Sequence, residues 1–293
     1  MNARHLPLGL FPGMSNEEYQ SSPGLSNTGL TAFAQSPLHY FALYRDPNRP
    51  PRETKAGQLE GQLAHCALLE PAEFDSRYAV LPEDAPRRPS EAQWKAKNPS
   101  ADSVSAMSWW TMWNEATAGR TIITADQRDA ATAQACSARG VRDISMLLSV
   151  GQPEVSAFWI DRQTGELCRC RPDWVHPVGD KGVILVDAKT CSDASPGDFA
   201  RQIARKGYHR QAAWYSDGYS IASGLPVLGF VFVAIETTYP YAASAVMLDD
   251  DGLQKGRSDN RELLNRFALC SQSDTWPGYG DSVEQIALPR WAA

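Results

Sequence analysis

The pattern of apolar and polar positions divides the chain near residue 150 into a helical first part and a second part that alternates strands with helices. In the first part, apolar residues recur every three or four positions, which predicts helices at residues 25–45, 56–70, 109–118 and 126–149. A Ser-Pro step interrupts the first of these helices at Ser36. Residues 82–105 are rich in proline, serine and basic side chains and predict a mobile loop.

Beyond Pro153 the pattern is typical of strands. Residues 154–160 alternate apolar and polar side chains, DRQTG at 161–165 predicts a turn, and residues 166–175 return as the hairpin partner. The continuous apolar run VILVD at 183–187 is typical of a strand buried on both faces. The remaining pattern predicts a helix at 199–220, strands at 227–236 and 242–247, and a closing helix at 249–269.

This order of elements predicts an α/β fold with a mixed central sheet flanked by helices. We expect residues 1–150 to form a helical part that contributes the first core helix, at about 56–70. Residues 151–293 would supply the core sheet and the closing helices. The two parts together would make a single domain.

Length, charge and cysteine content narrow the class of protein. The chain has 293 residues and a formal net charge of −6, which argues against a general nucleic-acid coat but not against an enzyme with a local basic track. Its six cysteines include no C-x-x-C pair, so neither a disulfide framework nor a zinc finger is expected. We find no apolar run of the roughly 18 residues that a membrane span needs and no secretory signal. We therefore expect a cytoplasmic protein with no membrane partner.

Two short segments carry the candidate chemistry, RPDW at 171–174 and LVDAKT at 185–190. We expect Asp173 late in the second strand of the hairpin. Asp187 and Lys189 lie two positions apart at the end of the buried strand, so their side chains project from one face. Carboxylates from adjacent strands can bind one or two Mg²⁺ ions and leave room for waters and a phosphate. A surface ion pair is the alternative, but the combination of both segments with a following helix favours metal-dependent phosphodiester hydrolysis.

Together, RPDW and LVDAKT resemble the bipartite motif of PD-(D/E)XK nucleases, with Asp187 where many members carry glutamate. SNTGLTAFAQSPLHYF, GQLAHCALLEP and RQAAWY are similar, in this order, to elements of RecE-like phage and prophage exonucleases and of RecB-type nuclease domains. The resemblance covers about residues 26–269. It implies a restriction-endonuclease-like core with an N-terminal helical extension, in which Asp173 and Asp187 bind Mg²⁺ and Lys189 assists the attacking water.

Four further side chains are candidate members of this site. The resemblance places His65 at the metal or the phosphate, although a helical histidine is more often a core or surface residue. Glu154, at the start of the first core strand, is a metal ligand, a hydrogen-bond partner of one, or an exposed strand-end carboxylate. Gln211 and Tyr215 match a Q-x-x-x-Y element and lie one helical turn apart. They could bind the DNA backbone or position Lys189, and core packing is the alternative for Tyr215.

Positive charge is concentrated directly after the catalytic strand, at Arg201, Arg205, Lys206 and Arg210. Arg201 and Arg205 are one turn apart, so part of this cluster shares a helix face. A charged helix is usually a solvated surface. The position beside the predicted metal site favours contact with DNA phosphates, which would hold DNA without reading its sequence.

The resemblance to RecE-like enzymes implies 5′-to-3′ degradation of linear double-stranded DNA, which leaves 3′ single-stranded tails for homologous recombination. It also implies a ring-like homo-oligomer, with a tetramer favoured, and a RecT-like single-strand annealing protein as partner. Mn²⁺ would substitute for Mg²⁺. The alternatives are an endonuclease of the same superfamily and a non-catalytic DNA-binding protein on a nuclease fold, and the intact Asp173, Asp187 and Lys189 argue against the latter.

Overall fold

The computed structural model describes residues 8–50 and 57–288, so the start of the helix predicted at 56–70 lies outside the described residues. Its helices are α1 Asn16–Ser21, α2 Asn27–Gln35, α3 Pro37–Tyr44, α4 Gln58–Leu69, α5 Phe74–Arg77, α6 Glu91–Trp94, α7 Ala101–Ala116, α8 Ala125–Gly140, α9 Arg142–Leu147, α10 Pro196–Lys206, α11 Tyr208–Ser223 and α12 Asp250–Ser273. Its strands are β1 Gly9–Phe11, β2 Leu25–Ser26, β3 Tyr78–Val80, β4 Thr121–Ile123, β5 Gln152–Pro153, β6 Ser156–Ile160, β7 Leu167–Cys170, β8 Trp174–Pro177, β9 Val183–Cys191, β10 Val227–Glu236 and β11 Ala243–Met247.

The central sheet has the strand order β11-β10-β9-β8-β5. It is mixed, because β9 and β10 run parallel whereas the other neighbouring pairs are antiparallel. A parallel pair needs a crossover connection, and α10 and α11 supply it between β9 and β10. A second sheet has the order β1-β6-β7-β2, and β3 pairs with β4. This mixed sheet flanked by helices confirms the predicted fold class.

Helices cover both faces of the central sheet. On one face, Leu185 of β9 and Phe232 of β10 pack with residues of α2, α10, α11 and α12. On the other face, Val186 and Val233 pack with residues of α4, α8 and α9. Successive side chains of a strand point to opposite faces, so adjacent residues enter different clusters. Within residues 8–50 and 57–288, every helix is too short or too polar to span a membrane.

The predicted hairpin exists, but its second strand is divided between the two sheets. β6 and β7 pair antiparallel in the smaller sheet. β7 then ends at Cys170, and the chain resumes as β8 at Trp174 in the central sheet. Pro172 explains the break, because its ring fixes φ and leaves no N–H for a strand ladder. Asp173 therefore lies between two strands rather than late in one, which corrects the prediction.

The first strand of the hairpin breaks at the same level. Glu154 does not open β6 as predicted, since it lies between β5 and β6 with a left-handed backbone (φ 55°). A non-glycine residue adopts this conformation rarely. The Glu154 N–H donates a hydrogen bond to the carbonyl of Asp173 at 3.1 Å. Both strands thus cross from one sheet to the other at a single hydrogen-bonded junction.

The helix predicted at 199–220 is two helices. Gly207 ends α10 in a left-handed conformation (φ 71°), and its N–H donates to the carbonyls of Ala204 and Ile203. Glycine tolerates this backbone because it has no Cβ. The helix axis therefore changes direction between the basic residues that precede Gly207 and those that follow it.

The first part of the chain is less purely helical than predicted. β1 and β2 extend the sheet of β6 and β7, and β3 pairs with β4. Residues 82–105, predicted as a loop, contain α6 and the start of α7. The side chains of Ser90 and Ser100 cap these helices by accepting hydrogen bonds from the N–H groups of Gln93 and Ser103. A serine directly before a helix can cap its N-terminus, so these serines are the sequence signal for two helices within a segment rich in proline.

Gly256 lies where α12 packs closely against α11, and we expect a larger side chain at this position to destabilise the fold. A Cβ at this position would lie 2.2 Å from the carbonyl oxygen of His209. Gly256→Ala should therefore force the helices apart and lower the free energy of unfolding by about 1–3 kcal/mol, measured by urea denaturation. Gly197→Ala in α10 is the matched control, because its Cβ would meet no atom within 4 Å. It should cost nothing, and equal losses in both variants would contradict this packing.

Candidate active site

The aspartate and lysine of the D-x-K segment lie on one face of β9, as predicted. Asp187 is buried at 1% exposure. Its Oδ1 accepts a hydrogen bond of 2.6 Å from Gln211 Nε2 on α11, and its Oδ2 lies 2.5 Å from Lys189 Nζ. The strand period brings Asp187 and Lys189 together, and the crossover helix brings Gln211 to them.

The junction between the sheets brings two more carboxylates to β9. Asp173 Oδ2 accepts a hydrogen bond of 2.8 Å from the N–H of Ala188, which fixes the carboxylate against β9. The bond from the Glu154 N–H to the Asp173 carbonyl holds the left-handed residue beside it. A strained backbone at such a position is typical of functional sites.

His65 connects α4 to this junction. Its Nε2 lies 3.3 Å from Asp173 Oδ2 and 3.4 Å from Glu154 Oε1. The imidazole therefore bridges the two carboxylates that the sheet crossover presents. The structure thus forms two sets of contacts, one of His65 with Glu154 and Asp173 and one of Asp187 with Lys189 and Gln211. The hydrogen bond from the Ala188 N–H to Asp173 joins the two sets.

Glu70 is a member of the site that sequence reasoning missed. The side chains of His65, Glu70 and Glu154 offer three ligand atoms that all lie within 4.8 Å of one another. Glu70 caps the C-terminal end of α4, where a negative charge opposes the helix dipole. That local conflict is the signal in the sequence. The guanidinium of Arg77 offsets the charge through hydrogen bonds of 2.7 and 2.8 Å.

Two tyrosines flank the site in different ways. Tyr215 lines the adjoining cleft and packs edge-to-face on Phe230, with ring centroids 6.0 Å apart. Burial raises its pKa well above the usual value, so it stays a neutral phenol. Tyr208, which the sequence reasoning did not select, lies under Lys189 with Nζ 5.1 Å from its ring centroid. The break at Gly207 starts α11 at Tyr208 and places this ring there.

The predicted DNA-binding cluster is divided among three environments. Lys206 lines the same cleft as Lys189. Arg205 and Arg210 line a separate cavity of about 320 Å³ that also contains Asp259 and Glu262. Arg201 is exposed and pairs with Asp198. Of these four cations, Lys206 is therefore the one placed beside the candidate active site.

Burial raises the pKa values of two carboxyl groups. The pKa of Glu154 rises to about 7, first because the side chain is desolvated and second because Asp173 is negative. Burial also raises the pKa of Asp187 to about 6, although the Lys189 ammonium opposes the shift. These two groups share the cost of placing negative charge in a poorly solvated site.

Paired charges dominate at the other three groups. Burial would lower the pKa of His65, but Asp173 and Glu154 raise it to about 9. Burial opposes the ionised form of Lys189 too, yet Asp187 and Asp173 raise its pKa, so the ammonium persists at neutral pH. Against the effect of burial, His65 and Lys189 lower the pKa of Asp173.

The donor set fits a divalent cation. Carboxylate oxygens are the ligands that Mg²⁺ prefers, and imidazole is a common further ligand of divalent metals. Asp187 Oδ2 is buried with the Lys189 ammonium as its partner, and a carboxylate oxygen has a second lone pair that a cation could share. Asp173, Asp187 and His65 stay the predicted ligands, and the geometry adds Glu154 and Glu70 as neighbours that could share the ion.

The site opens into a cleft of about 1640 Å³. His65, Glu154 and Lys189 are among its lining residues, whereas Asp173 and Asp187 lie one contact deeper. Residues at α1 and the start of α2 line one part of the cleft, and residues of α4 line another. A cleft of this size could admit an extended polymer. The charged side chains of His65, Glu154 and Lys189 would then face it.

The raised pKa of His65 predicts a pH window for its effect on stability. A protonated group with a raised pKa stabilises the fold fully below its ordinary value of 6.5, and this contribution is lost as the pH rises through about 9. In EDTA, His65→Gln should therefore lower the melting temperature more at pH 6 than at pH 10. The His65 ring resonance, assigned by its absence in the variant, should titrate near 9 by NMR. A midpoint near 6.5 would contradict the bridging geometry.

Comparison with known proteins agrees with this fold. The chain matches the family described as a "PDDEXK-like domain of unknown function (DUF3799)" over residues 26–289. No curated protein matches it. Among solved structures it is similar to a "putative exonuclease" from Eubacterium rectale, with 14% identity, a TM-score of 0.59, and 89% of this chain and 87% of that chain covered.

A second solved structure is an alkaline exonuclease from Laribacter hongkongensis. It shares 16% identity with a TM-score of 0.27, covering 62% of this chain and 89% of that chain. The family match includes α2, α4, the central sheet and α12, and therefore every residue of the candidate site. The PD-(D/E)XK resemblance predicted from the sequence is thereby confirmed, and the chain belongs to this family of PDDEXK-like domains.

Proposed function

We infer that the protein is a divalent-metal-dependent exodeoxyribonuclease that degrades linear double-stranded DNA from 5′ to 3′ and leaves 3′ single-stranded tails. The observation that carries this proposal is the buried Asp187 carboxylate, held between Lys189 and Gln211 next to Asp173, one contact below an open cleft that Lys189 lines. Removing a carboxylate from water costs free energy, and such desolvated ionisable groups are concentrated at functional sites. The direction of digestion and the role in recombination rest on the resemblance to RecE-like enzymes.

Mg²⁺, or Mn²⁺ in its place, is the proposed cofactor, held by Asp173 and Asp187 with His65 beside them. When bound, the ion supplies a Lewis acid for the scissile phosphate and lowers the pKa of an attacking water. Gln211 orients Asp187 through its hydrogen bond to Oδ1, and Oδ2, which also pairs with Lys189, is the oxygen proposed for the ligand role. Glu154 and Glu70 set the negative potential that favours a cation at this place.

Lys189 acts as a cation in this proposal. The adjacent aspartates keep its ammonium protonated, which suits stabilisation of negative charge on a phosphate rather than removal of a proton. The Tyr208 ring under Nζ and the Asp187 carboxylate restrict its position. A preorganised charge of this kind needs no rearrangement as the reaction proceeds.

The proposal extends to the assembly and its partners. Lys206 on the cleft wall is the first candidate for a DNA backbone contact outside the metal site. One such lysine in an acidic chain would hold a duplex weakly. A closed homo-oligomer, with a tetramer favoured, would repeat the contact around the DNA, and a RecT-like annealing protein would receive the single-stranded product.

Asp187→Asn and Lys189→Ala should each reduce hydrolysis of end-labelled linear duplex by at least about 10²-fold, because each removes a preorganised charge. DNA binding should change little, since many backbone contacts share it. Asp180→Asn and Lys181→Ala are charge-matched controls in the exposed turn before β9. They should digest DNA at the wild-type rate, and near wild-type digestion by either site variant would refute the assignment.

Metal dependence and DNA topology test the activity itself. Mg²⁺ or Mn²⁺ should support release of label from linear DNA and EDTA should stop it. Ca²⁺ should allow binding with little cleavage, because its looser coordination does not impose compact octahedral geometry.

Covalently closed circular DNA should survive, since an exonuclease cannot start on it. Cutting of the circle would indicate an endonuclease, and binding without any cutting would indicate a non-catalytic protein.

A further inference from the structure

Arg171 is a buried cation in the cleft that the proposed function leaves unexplained. Its side chain is 10% exposed and lines the cleft next to Glu154. Its Nε forms an ion pair with Glu154 Oε2. Nη1 is buried and makes no hydrogen bond within the described residues, and Nε has the Glu154 carboxylate as its partner. A guanidinium has five N–H donors, and one carboxylate oxygen cannot satisfy them.

Arg169, two residues earlier in the chain, is a nearby arginine with a structural role and serves as a comparison. Its Nη1 donates to the backbone carbonyls of Tyr19 and Ser22, which ties β7 to α1. Arg169 and Arg171 both contact the Tyr19 ring, at 4.7 and 5.5 Å from its centroid. Nε of Arg169 is also buried without a hydrogen bond within the described residues, but the bonds of its Nη1 give it a clear packing role, whereas the Arg171 guanidinium lines the cleft.

The wall beside Arg171 has the chemistry of a nucleic-acid backbone site. It is formed by α1 and the start of α2, and its polar lining residues are Ser15, Asn16, Gln20, Ser26 and Thr28. Among the described lining residues of this wall none is negatively charged, although the chain as a whole is acidic. Neutral donors around one guanidinium suit a phosphodiester, which arginine binds with two parallel N–H bonds.

The part of the cleft that α4 lines has different chemistry. It contains His65 and Glu70 of α4, where a cation is favoured over a phosphate. Arg171 thus marks the boundary between the carboxylate group and the neutral wall. Its ion pair with Glu154 keeps the guanidinium at this boundary.

We propose that Arg171 binds a phosphate group of the DNA strand, on the α1 side of the metal-binding carboxylates. The proposal rests on the proposed function, since it takes DNA as the ligand. The Arg171 guanidinium has a single carboxylate partner in the absence of DNA, and a phosphate in the cleft would add hydrogen bonds to it. Arg171 would then be a direct binding residue and not a support for Glu154 alone.

The test is a coupling measurement between Arg171 and individual phosphates. Duplexes carry one neutral methylphosphonate linkage at successive positions from the end, or a 5′-hydroxyl in place of a 5′-phosphate. Binding to wild type, Arg171→Met and Arg171→Lys is measured by fluorescence anisotropy in Ca²⁺. In wild type, neutralising the contacted phosphate should weaken binding roughly tenfold or more. In Arg171→Met the same change should add less than about twofold, which is the signature of a direct contact.

Two controls separate a contact from general effects. Arg257→Met removes the same charge from an exposed ion pair with Asp217, and it should keep the full wild-type penalty at every linkage. Mn²⁺ binding without DNA should be similar in wild type and Arg171→Met. Arg171→Lys retains the charge if the methionine variant folds poorly, and it should show a reduced penalty at the same phosphate.

The outcomes are distinct. Loss of the penalty at an internal linkage identifies a phosphodiester contact, and loss at the end identifies a terminal phosphate; both support the proposal. An unchanged penalty in Arg171→Met overturns it, as does a uniform loss of binding at all positions together with lost Mn²⁺ affinity, which would indicate a support role for Glu154. Wild type that binds no DNA overturns the proposed function and this inference with it. Wild type that cuts DNA with no coupling at Arg171 overturns this inference alone.

Discussion

The site depends on one backbone hydrogen bond, from the N–H of Glu154 to the carbonyl of Asp173, at the level where both strands of the hairpin change sheets. Without a crossover at this level, β6 and β7 would continue as a simple ribbon, with Glu154 and Asp173 as cross-strand neighbours on one face of the same sheet. With it, Asp173 turns toward β9 and is fixed by the Ala188 N–H, and Glu154 turns toward His65 on α4. The fold therefore concentrates negative charge where two sheets and a helix meet.

That concentration is balanced by cations from four separate elements. His65 lies against Asp173 and Glu154, Arg171 against Glu154, Arg77 against Glu70 and Lys189 against Asp187. Buried carboxylates are tolerated when they are paired, and removal of one partner leaves an uncompensated charge. A divalent cation bound among these carboxylates would offset their negative charge in place of the basic side chains. Binding of a metal and rearrangement of these side chains would therefore be linked. The acidic site and its basic neighbours are one electrostatic unit.

The sequence was informative where the signal was local. The apolar run before Asp187, the two-residue spacing to Lys189 and the histidine on the helix at 56–70 each follow from periodicity or motif, and the structure places all three together. The sheet crossover was not predictable in this way, because Pro172 marks a break without saying which strand comes next. Tyr208 required knowledge of tertiary neighbours, whereas Glu70 left a local signal, an acidic residue at the C-terminal end of α4. The sequence pattern predicts one helix across the basic segment, but Gly207 ends α10 within it. Arg205 and Arg210, on either side of this glycine, line one cavity, whereas Lys206 lines the cleft of the candidate site.

The left-handed backbone of Glu154 has a consequence for how such a chain can change over generations. Glycine, or to a lesser degree asparagine, occupies this conformation with less strain than glutamate, so substitution there would relieve the local backbone. The same substitution would remove the carboxylate from His65 and Arg171. Selection for fold stability therefore favours glycine at residue 154, whereas selection for the site favours glutamate. Relatives with glycine at this position would have kept the fold and lost the chemistry of the site.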